Sequence, residues 1–374
     1  MYSVADFGHM IGDEARMGAF CKALAAMINA NSVVLDLGAG TGIMALLACR
    51  YGAKRVYAVE PSDALQVARE TAAKNGFSDR IVCIQQRSAA VTLPERVDLI
   101  VEDMRGALPW CSTHIPDVID ARERFLKPGG QIIPRKDSVF CAVAAADKHY
   151  RDQFLPWQSS PENVDLSPAS RYVENAPSGV RFKPSQLLST PVAWATIEYH
   201  SVAAANVRGE FALQAKRAGM AHGLLLWFET ELLPDVKISN APGRPKTVYG
   251  QFFLPWPQPI ELTKGMGVDV TLRADLIGED YVWTWESRVA ENHFRQTSFA
   301  AAPLTAESLA KRAAHHRPTL GREGTIAQFV LERMSGSLSL AEIGAELARA
   351  FPERFRSERE GFDYAAKLSG EFGE

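Results

Sequence analysis

A short apolar run that ends in alternating glycines constrains this chain more than any other segment. Residues 33–40 read Val-Val-Leu-Asp-Leu-Gly-Ala-Gly and continue through Thr41 to Gly42. The run is strand-like, and the residues after it are helical up to Gly52. Glycines at such a strand–helix turn allow a sharp bend and let the backbone approach a ligand. The free N–H groups of the following helix favour a negative group there. A second strand over 55–61 ends near Glu60. A helix over 62–76 opens at Ser62-Asp63 and closes at Asn75-Gly76. Strands over 80–87 and 96–103 follow, then a helix from Val118 to Leu126 closed by Lys127-Pro128-Gly129-Gly130. This alternation predicts a parallel βαβ, Rossmann-type sheet over residues 1–134, preceded by a helix carrying Phe20, Leu24, Met27 and Ile28 at helical spacing.

The pattern changes twice. Over 135–303 short alternating stretches punctuated by Pro, Gly and Asn predict an all-β domain of barrel or sandwich type, interrupted by a loop-rich stretch over 150–190. From 304 to 374 the chain reads as a small, charge-rich helical domain, with capping boxes at Ser339–Glu342 and Ser357–Glu360. The fold class is therefore α/β plus β with a helical C-terminal domain. A net charge of −3 carries no footprint of a nucleic-acid binder. No run of eighteen apolar residues suggests a membrane span, and Met1–Met10 does not read as a signal peptide. Five scattered cysteines without a C-x-x-C pair suit a reducing cytoplasm, and no metal site is expected.

The glycine loop and Glu60 together imply a nucleoside ligand, since a carboxylate at the end of the second strand can accept from both hydroxyls of a ribose. Dinucleotides want G-x-G-x-x-G. The spacing here, Gly38-Ala39-Gly40-Thr41-Gly42 after Asp36, is G-x-G-x-G and favours S-adenosylmethionine.

The stretch from Val33 to Ile81, with Val97–Asp103 and Ala121–Pro134, resembles the protein arginine methyltransferase family. The resemblance covers roughly residues 7–290. Met10-Ile11-Gly12-Asp13-Glu14-Ala15-Arg16 is similar to the family's segment whose arginine clasps the cofactor carboxylate, which implies that role for Arg16. Ser88, beside an alanine where the family aims a glutamate at the adenine, joins the implied cofactor residues. His222 through Phe228 and Ser239-Asn240-Ala241-Pro242 track the family's barrel. The resemblance also implies a homodimer, with an arm at 150–190 docking on a partner.

The chain departs from the family where the acceptor binds. The family grips a guanidinium with two glutamates. Ungapped alignment puts the first on Asp103, beside Glu102, and the second on Ser112. The family's threonine–histidine–tryptophan loop falls on Thr247-Val248-Tyr249, so the histidine is lost. A similar-looking Asn292–Thr297 stretch is set aside, because the Ser239–Pro242 anchor precedes 247. Guanidinium is always charged, and one acidic side remains for it. Glu102 and Asp103 are therefore read as catalytic toward a nitrogen that loses its proton easily, such as an imidazole. Substitution of either is expected to cut turnover and leave cofactor affinity nearly unchanged. Arg105, Trp110, Ser112 and Tyr249 are candidate walls of the acceptor site. The substrate class expected is a peptide or protein. Residues 305–374 are similar to the small winged-helix-type PqqD-like module that binds leader peptides by adding a strand, and a plain three-helix stabilising tail is the reading that competes with it. A small-molecule acceptor, or a catalytically silent binding protein, are the competing readings.

Overall fold

The computed structural model describes residues 2–334 and 336–373. The chain divides into two compact units, Met1–Pro303 and Leu304–Glu374. In the first, helices α1 (Val4–Ile11) and α2 (Glu14–Met27) lead into strand β1 (Val33–Leu37), helix α3 (Ile43–Arg50), β2 (Arg55–Val59), α4 (Ala64–Lys74), β3 (Ile81–Ile84), β4 (Val97–Glu102), α5 (His114–Phe125) and β5 (Leu126–Ile133). The five strands form a parallel sheet of order β3-β2-β1-β4-β5. All five residues of β1 are buried, which is why the sequence runs apolar without alternation. The order reverses direction between β1 and β4. Leu37 pairs with Glu102 across that junction and with Val59 on the other side. The glycine loop, Glu60 and the acidic end of β4 therefore emerge side by side at the carboxyl edge of the sheet, where ligands of such folds bind.

Ten strands follow: β6 (Lys136–Ala144), β7 (Ser178–Val180), β8 (Val192–Glu198), β9 (Val207–Gln214), β10 (Gly219–Leu233), β11 (Val236–Ser239), β12 (Gln251–Leu262), β13 (Gly267–Ile277), β14 (Asp280–Val289) and β15 (Asn292–Thr297). They make two antiparallel sheets, β7-β12-β10-β6-β8 with β11 on β10, and β15-β14-β13-β9. Between β6 and β7, the stretch read as loop holds short helices α6 (Asp147–Gln153), α7 (Leu155–Gln158) and α8 (Ser170–Glu174). One continuous apolar core runs from Phe20 and Leu35 in the parallel layer to Leu226, Trp256 and Trp285 in the β layer.

Two polar stitches register the β layer on the sheet edge. Asn240 accepts from Phe228 N (2.7 Å) and donates to Ala107 O (3.1 Å) and Gly250 O (2.6 Å), joining the loop after β4 to the loop before β12. Asp13, the N-cap of α2, accepts from Arg16 N (2.9 Å) and from Val248 N (2.7 Å). One carboxylate thus caps a helix and anchors a distant loop.

The second unit contains α9 (Ala306–Ala310), α10 (Arg322–Met334), α11 (Leu340–Ala350) and α12 (Glu358–Phe372) around Ile326, Val330, Ile343, Leu347, Phe355, Ala365 and Leu368. The Ser339–Glu342 capping box opens α11. A Cβ on Gly361 would sit 2.2 Å from Gly344 O, so α11 and α12 touch backbone to backbone. Among the described residues this unit has no strand. The winged-helix expectation is corrected accordingly: without a sheet edge, strand addition has nothing to add to. No helix among the described residues is long and apolar enough to cross a membrane.

Two glycines separate backbone strain from crowding. Gly42 has φ +78°, and a Cβ there would lie 2.5 Å from Ala68 Cβ; Gly52 has φ +99° and open space. Gly42→Ala is expected to cost about 2–4 kcal/mol. Gly52→Ala is expected to cost only the conformational part, about 1–2 kcal/mol. Urea melts of the two variants check this difference, and equal losses would contradict it.

Candidate functional site

A cavity of about 1540 Å³ opens over the carboxyl edge of the parallel sheet. Its floor is the glycine loop. Gly38, Gly40 and Gly42 all have positive φ. A Cβ on Gly38 would meet Met104 Cγ at 2.7 Å, and one on Gly40 would meet Phe7 at 2.3 Å. Phe7 belongs to α1, whose residues from Asp6 to Ile11 line the cavity. The backbone can follow this path only because no side chains intervene.

Glu60 is held by two backbone donors, Gly40 N at 3.0 Å and Ser62 N at 2.9 Å, one on each oxygen. That fixes the carboxylate and leaves lone pairs for a hydroxyl-bearing ligand. Asp36 accepts from Ala45 N at 2.8 Å; burial pushes its carboxyl up to about 7. Ser88 also lines the cavity.

The acidic end of β4 is a dense ion cluster. Asp103 Oδ2 accepts from Arg16 Nε (2.6 Å) and from the Tyr249 hydroxyl (2.5 Å), and Arg105 Nε lies 3.3 Å from Asp103 Oδ1. Arg16 Nε also donates to the Tyr249 oxygen at 3.1 Å, and its Nη1 donates to Met10 O at 3.1 Å. Arg105 reaches onward to Asp137 (2.9 Å) and Thr230, while Asp137 accepts from the Tyr199 hydroxyl at 2.6 Å. Burial works against ionised Asp103, yet Arg16 and Arg105 hold its carboxyl below the usual range. Burial likewise opposes the charge on Arg105, and the surrounding Asp137, Asp103 and Glu102 keep it firmly protonated.

Glu102 corrects the reading of a catalytic pair. It is 1% exposed and is not part of the cavity wall. Its carboxylate turns back, accepting from Met104 N (3.0 Å) and pairing with His114 Nε2 at 3.0 Å. Burial disfavours the ionised carboxylate, but His114 and Arg105 outweigh it and lower its pKa; burial opposes the imidazolium, and Glu102 raises it. Trp110 is corrected too. It is 5% exposed and packs on Trp194 and Trp283, with ring centroids 5.3 and 6.2 Å away, so it serves the core. Asp103, Arg105, Ser112 and Tyr249 do line the cavity, as do Arg16, Asp36, Gly38, Glu60 and Ser88. His293 in the set-aside stretch lies 2.8 Å from Glu286 on an exposed strand. The cluster's other members, Asp13, His114, Asp137, Tyr199 and Thr230, carry no local motif. Only Asp13 was within a segment singled out by resemblance.

The parallel sheet, its glycine loop and the antiparallel layer define a class I methyltransferase fold with an appended β domain. Two family models match: "Ribosomal protein L11 methyltransferase (PrmA)" over residues 18–133 and "Arginine methyltransferase oligomerization subdomain" over 136–286. The chain is similar to human protein arginine N-methyltransferase 2, 30% identical across 70% of this chain and 63% of that protein. It is also similar to protein arginine N-methyltransferase 1 of Saccharomyces cerevisiae, 29% identical across 63% of this chain and 70% of that protein. For the mouse and Dictyostelium discoideum proteins named arginine N-methyltransferase 2 the match spans 56% and 48% of their own lengths, so the chain spans about half to two thirds of such relatives. In fold it is similar to the Trypanosoma brucei PRMT1 enzyme-prozyme complex with AdoHcy, with TM-score 0.72 and 23% identity over 78% of this chain and 96% of that one. Arabidopsis thaliana protein arginine methyltransferase 10 gives TM-score 0.70 and 20% identity over 79% and 97%.

Asp36 makes stability depend on pH in a defined direction. Its folded pKa is raised from 3.8 to about 7, so the folded chain holds the proton more tightly than the unfolded one. The contribution is complete below the ordinary carboxylate range and is lost as pH rises through about 7. Asp36→Asn is expected to flatten the fall of stability between those limits. Chemical melts across that range check it, and an unchanged slope would count against the assignment.

Proposed function

We propose that this chain is an S-adenosylmethionine-dependent methyltransferase acting on a nitrogen of a peptide or protein side chain, an imidazole in preference to a guanidinium. One observation carries the reading: the glycine cradle, Glu60 and the Asp103 cluster meet at the β1/β4 junction within one cavity. The residues fit the cofactor. The cradle admits no side chain at Gly38 or Gly40. Glu60 is pre-fixed for ribose hydroxyls, and Arg16, 5% exposed, is a buried cation for the cofactor's carboxylate. When bound, the cofactor supplies an electrophilic methyl group on a sulfonium.

The chain's own residues do the rest. Phe7 and α1 cover the glycine loop and exclude water. Asp103 Oδ1, buried and without a hydrogen-bond partner, is the atom that takes the acceptor's N–H and fixes its orientation. Its lowered pKa keeps it ionised, a weak base that still accepts a hydrogen bond, which suffices for an imidazole whose other nitrogen already presents a lone pair. Glu102 and His114 pair behind Arg105, which itself flanks Asp103 at 3.3 Å. Within residues 135–303 Tyr249 supplies the opposite wall, and residues 304–374 supply a helical surface for recruiting the peptide.

Asp103→Asn is expected to lower turnover at least tenfold. Because Asp103 holds Arg16 at 2.6 Å, it should also weaken cofactor binding, unlike the expectation drawn from sequence. Calorimetry and turnover assays on the variant check both effects. Mass spectrometry of the product decides the acceptor: a methylated arginine overturns the imidazole reading, and a bound but never consumed cofactor establishes the silent one.

We further propose a homodimer formed through residues 147–174, where Leu155, Trp157 and Val164 stand 43%, 39% and 54% exposed. Light scattering at micromolar concentration is expected to give twice 41.0 kDa. A monomer rejects the arrangement, and Trp157→Glu is expected to produce one.

A further inference from the structure

The charges around Asp103 close on themselves. Three carboxylates, Glu102, Asp103 and Asp137, face three cations, Arg16, Arg105 and His114, through contacts of 2.6 to 3.8 Å. His114 belongs among the cations for a structural reason. Its Nδ1 lies 2.8 Å from Pro109 O, a group that only accepts, so Nδ1 carries a proton. Nε2 then approaches Glu102 at 3.0 Å, which is attractive only with a second proton on the pair. Asp13, the nearby fourth carboxylate, caps α2 at Arg16 N and accepts from Val248 N of the loop before β12. Of this cluster, Asp13, Asp103, Arg16 and Arg105 line the cavity, two carboxylates against two cations, and Arg105 is the cation that closes the balance. Arg105 is also wedged in place: its guanidinium sits 5.5 Å over the Phe228 ring and touches Asp137 on the far side.

Hydrogen bonding points the same way. Buried side-chain polar atoms without a hydrogen-bond partner concentrate here: Asp103 Oδ1, Arg105 Nε and Arg105 Nη2, with Glu102 Oε1 and His114 Nε2 behind them. Of these side chains, Asp103 and Arg105 reach the cavity. The wall thus offers an acceptor and donors together. Guanidinium and ammonium groups bring donors only, so they meet Arg105 donor to donor and cation to cation. A neutral imidazole brings one N–H and one lone pair and satisfies both sides.

We infer that Arg105 is the specificity-determining residue of this cavity: it makes the wall around Asp103 electrically neutral and two-sided in hydrogen bonding, so that the site takes a neutral group with both a donor and a lone pair and rejects cationic side chains. That this group is the methyl acceptor rests on the methyltransferase reading above; the selectivity itself is read by binding alone.

The test uses the full chain at pH 8, with methionine methyl groups labelled so that Met104, at the glycine loop, reports on the cavity by NMR. The probes are imidazole and methylguanidinium at matched ionic strength, each titrated with and without S-adenosylhomocysteine. For the native chain imidazole is expected to bind at least tenfold more tightly than methylguanidinium. Arg105→Gln removes the charge and is expected to erase or reverse that preference. Ser112→Asp adds a carboxylate to the cavity wall at an exposed position and is expected to do the same; it decides the matter if Arg105→Gln does not fold. An unchanged preference in the folded variants overturns the inference, as does a native chain that favours methylguanidinium or shows no response to imidazole. Calorimetry with S-adenosylhomocysteine is run separately. Absence of binding there defeats the methyltransferase reading, while the order of the two probes still judges Arg105.

Discussion

The bond between Arg16 Nε and Asp103 Oδ2, 2.6 Å long and almost wholly buried, holds the site together. Arg16 comes from α2, Asp103 from the end of β4, and the Tyr249 hydroxyl that shares both comes from the loop before β12. Three segments, the outermost 233 residues apart in sequence, are fixed to each other at one point. A buried ion pair of this kind adds little net stability, because desolvation consumes most of the attraction. What it supplies is geometry. Breaking either side leaves a largely buried charge without its partner, so the arrangement is intolerant of alternatives.

The parallel sheet and the glycine-loop half of the cavity were legible in the sequence because their signals are local. Gly38 to Gly42 and Glu60 lie within a single strand–helix–strand unit, and each residue type is demanded by backbone conformation or by a neighbouring N–H. The half around Asp103 was legible only in part. Glu102 and Asp103 are adjacent on the chain, and adjacency suggested a working pair. A strand sends successive side chains to opposite faces, and here one carboxylate faces the cavity while the other is buried against His114. Nothing near residue 102 announces that His114 will turn inward, or that Asp137 and Thr230 will draw Arg105 away from solvent. Trp110 misled for a related reason: its partners Trp194 and Trp283 lie in the β layer, so its burial is decided by long-range packing.

The C-terminal unit illustrates a different limit. Its capping box at Ser339 and its apolar spacing announced the helices correctly, since those are properties of a few consecutive residues. Whether strands accompany them is a matter of tertiary partners, and the resemblance that suggested a wing was not carried by any strand-like run of its own. The close approach of α11 and α12 at Gly344 and Gly361 shows what that part of the sequence does encode: a crossing tight enough that any side chain at either position pushes the helices apart.

Asn240 has a consequence of its own. Its amide nitrogen donates to two carbonyls, Ala107 O and Gly250 O, while its oxygen accepts from Phe228 N. Hydrolysis of that amide to an acid exchanges one heavy atom and alters the volume hardly at all. It nevertheless replaces a double donor with an oxygen facing two oxygens, and turns two bonds into repulsions at the seam between the layers. An Asn240→Asp exchange, nearly isosteric, would thus act at the seam and on the loop that carries Tyr249.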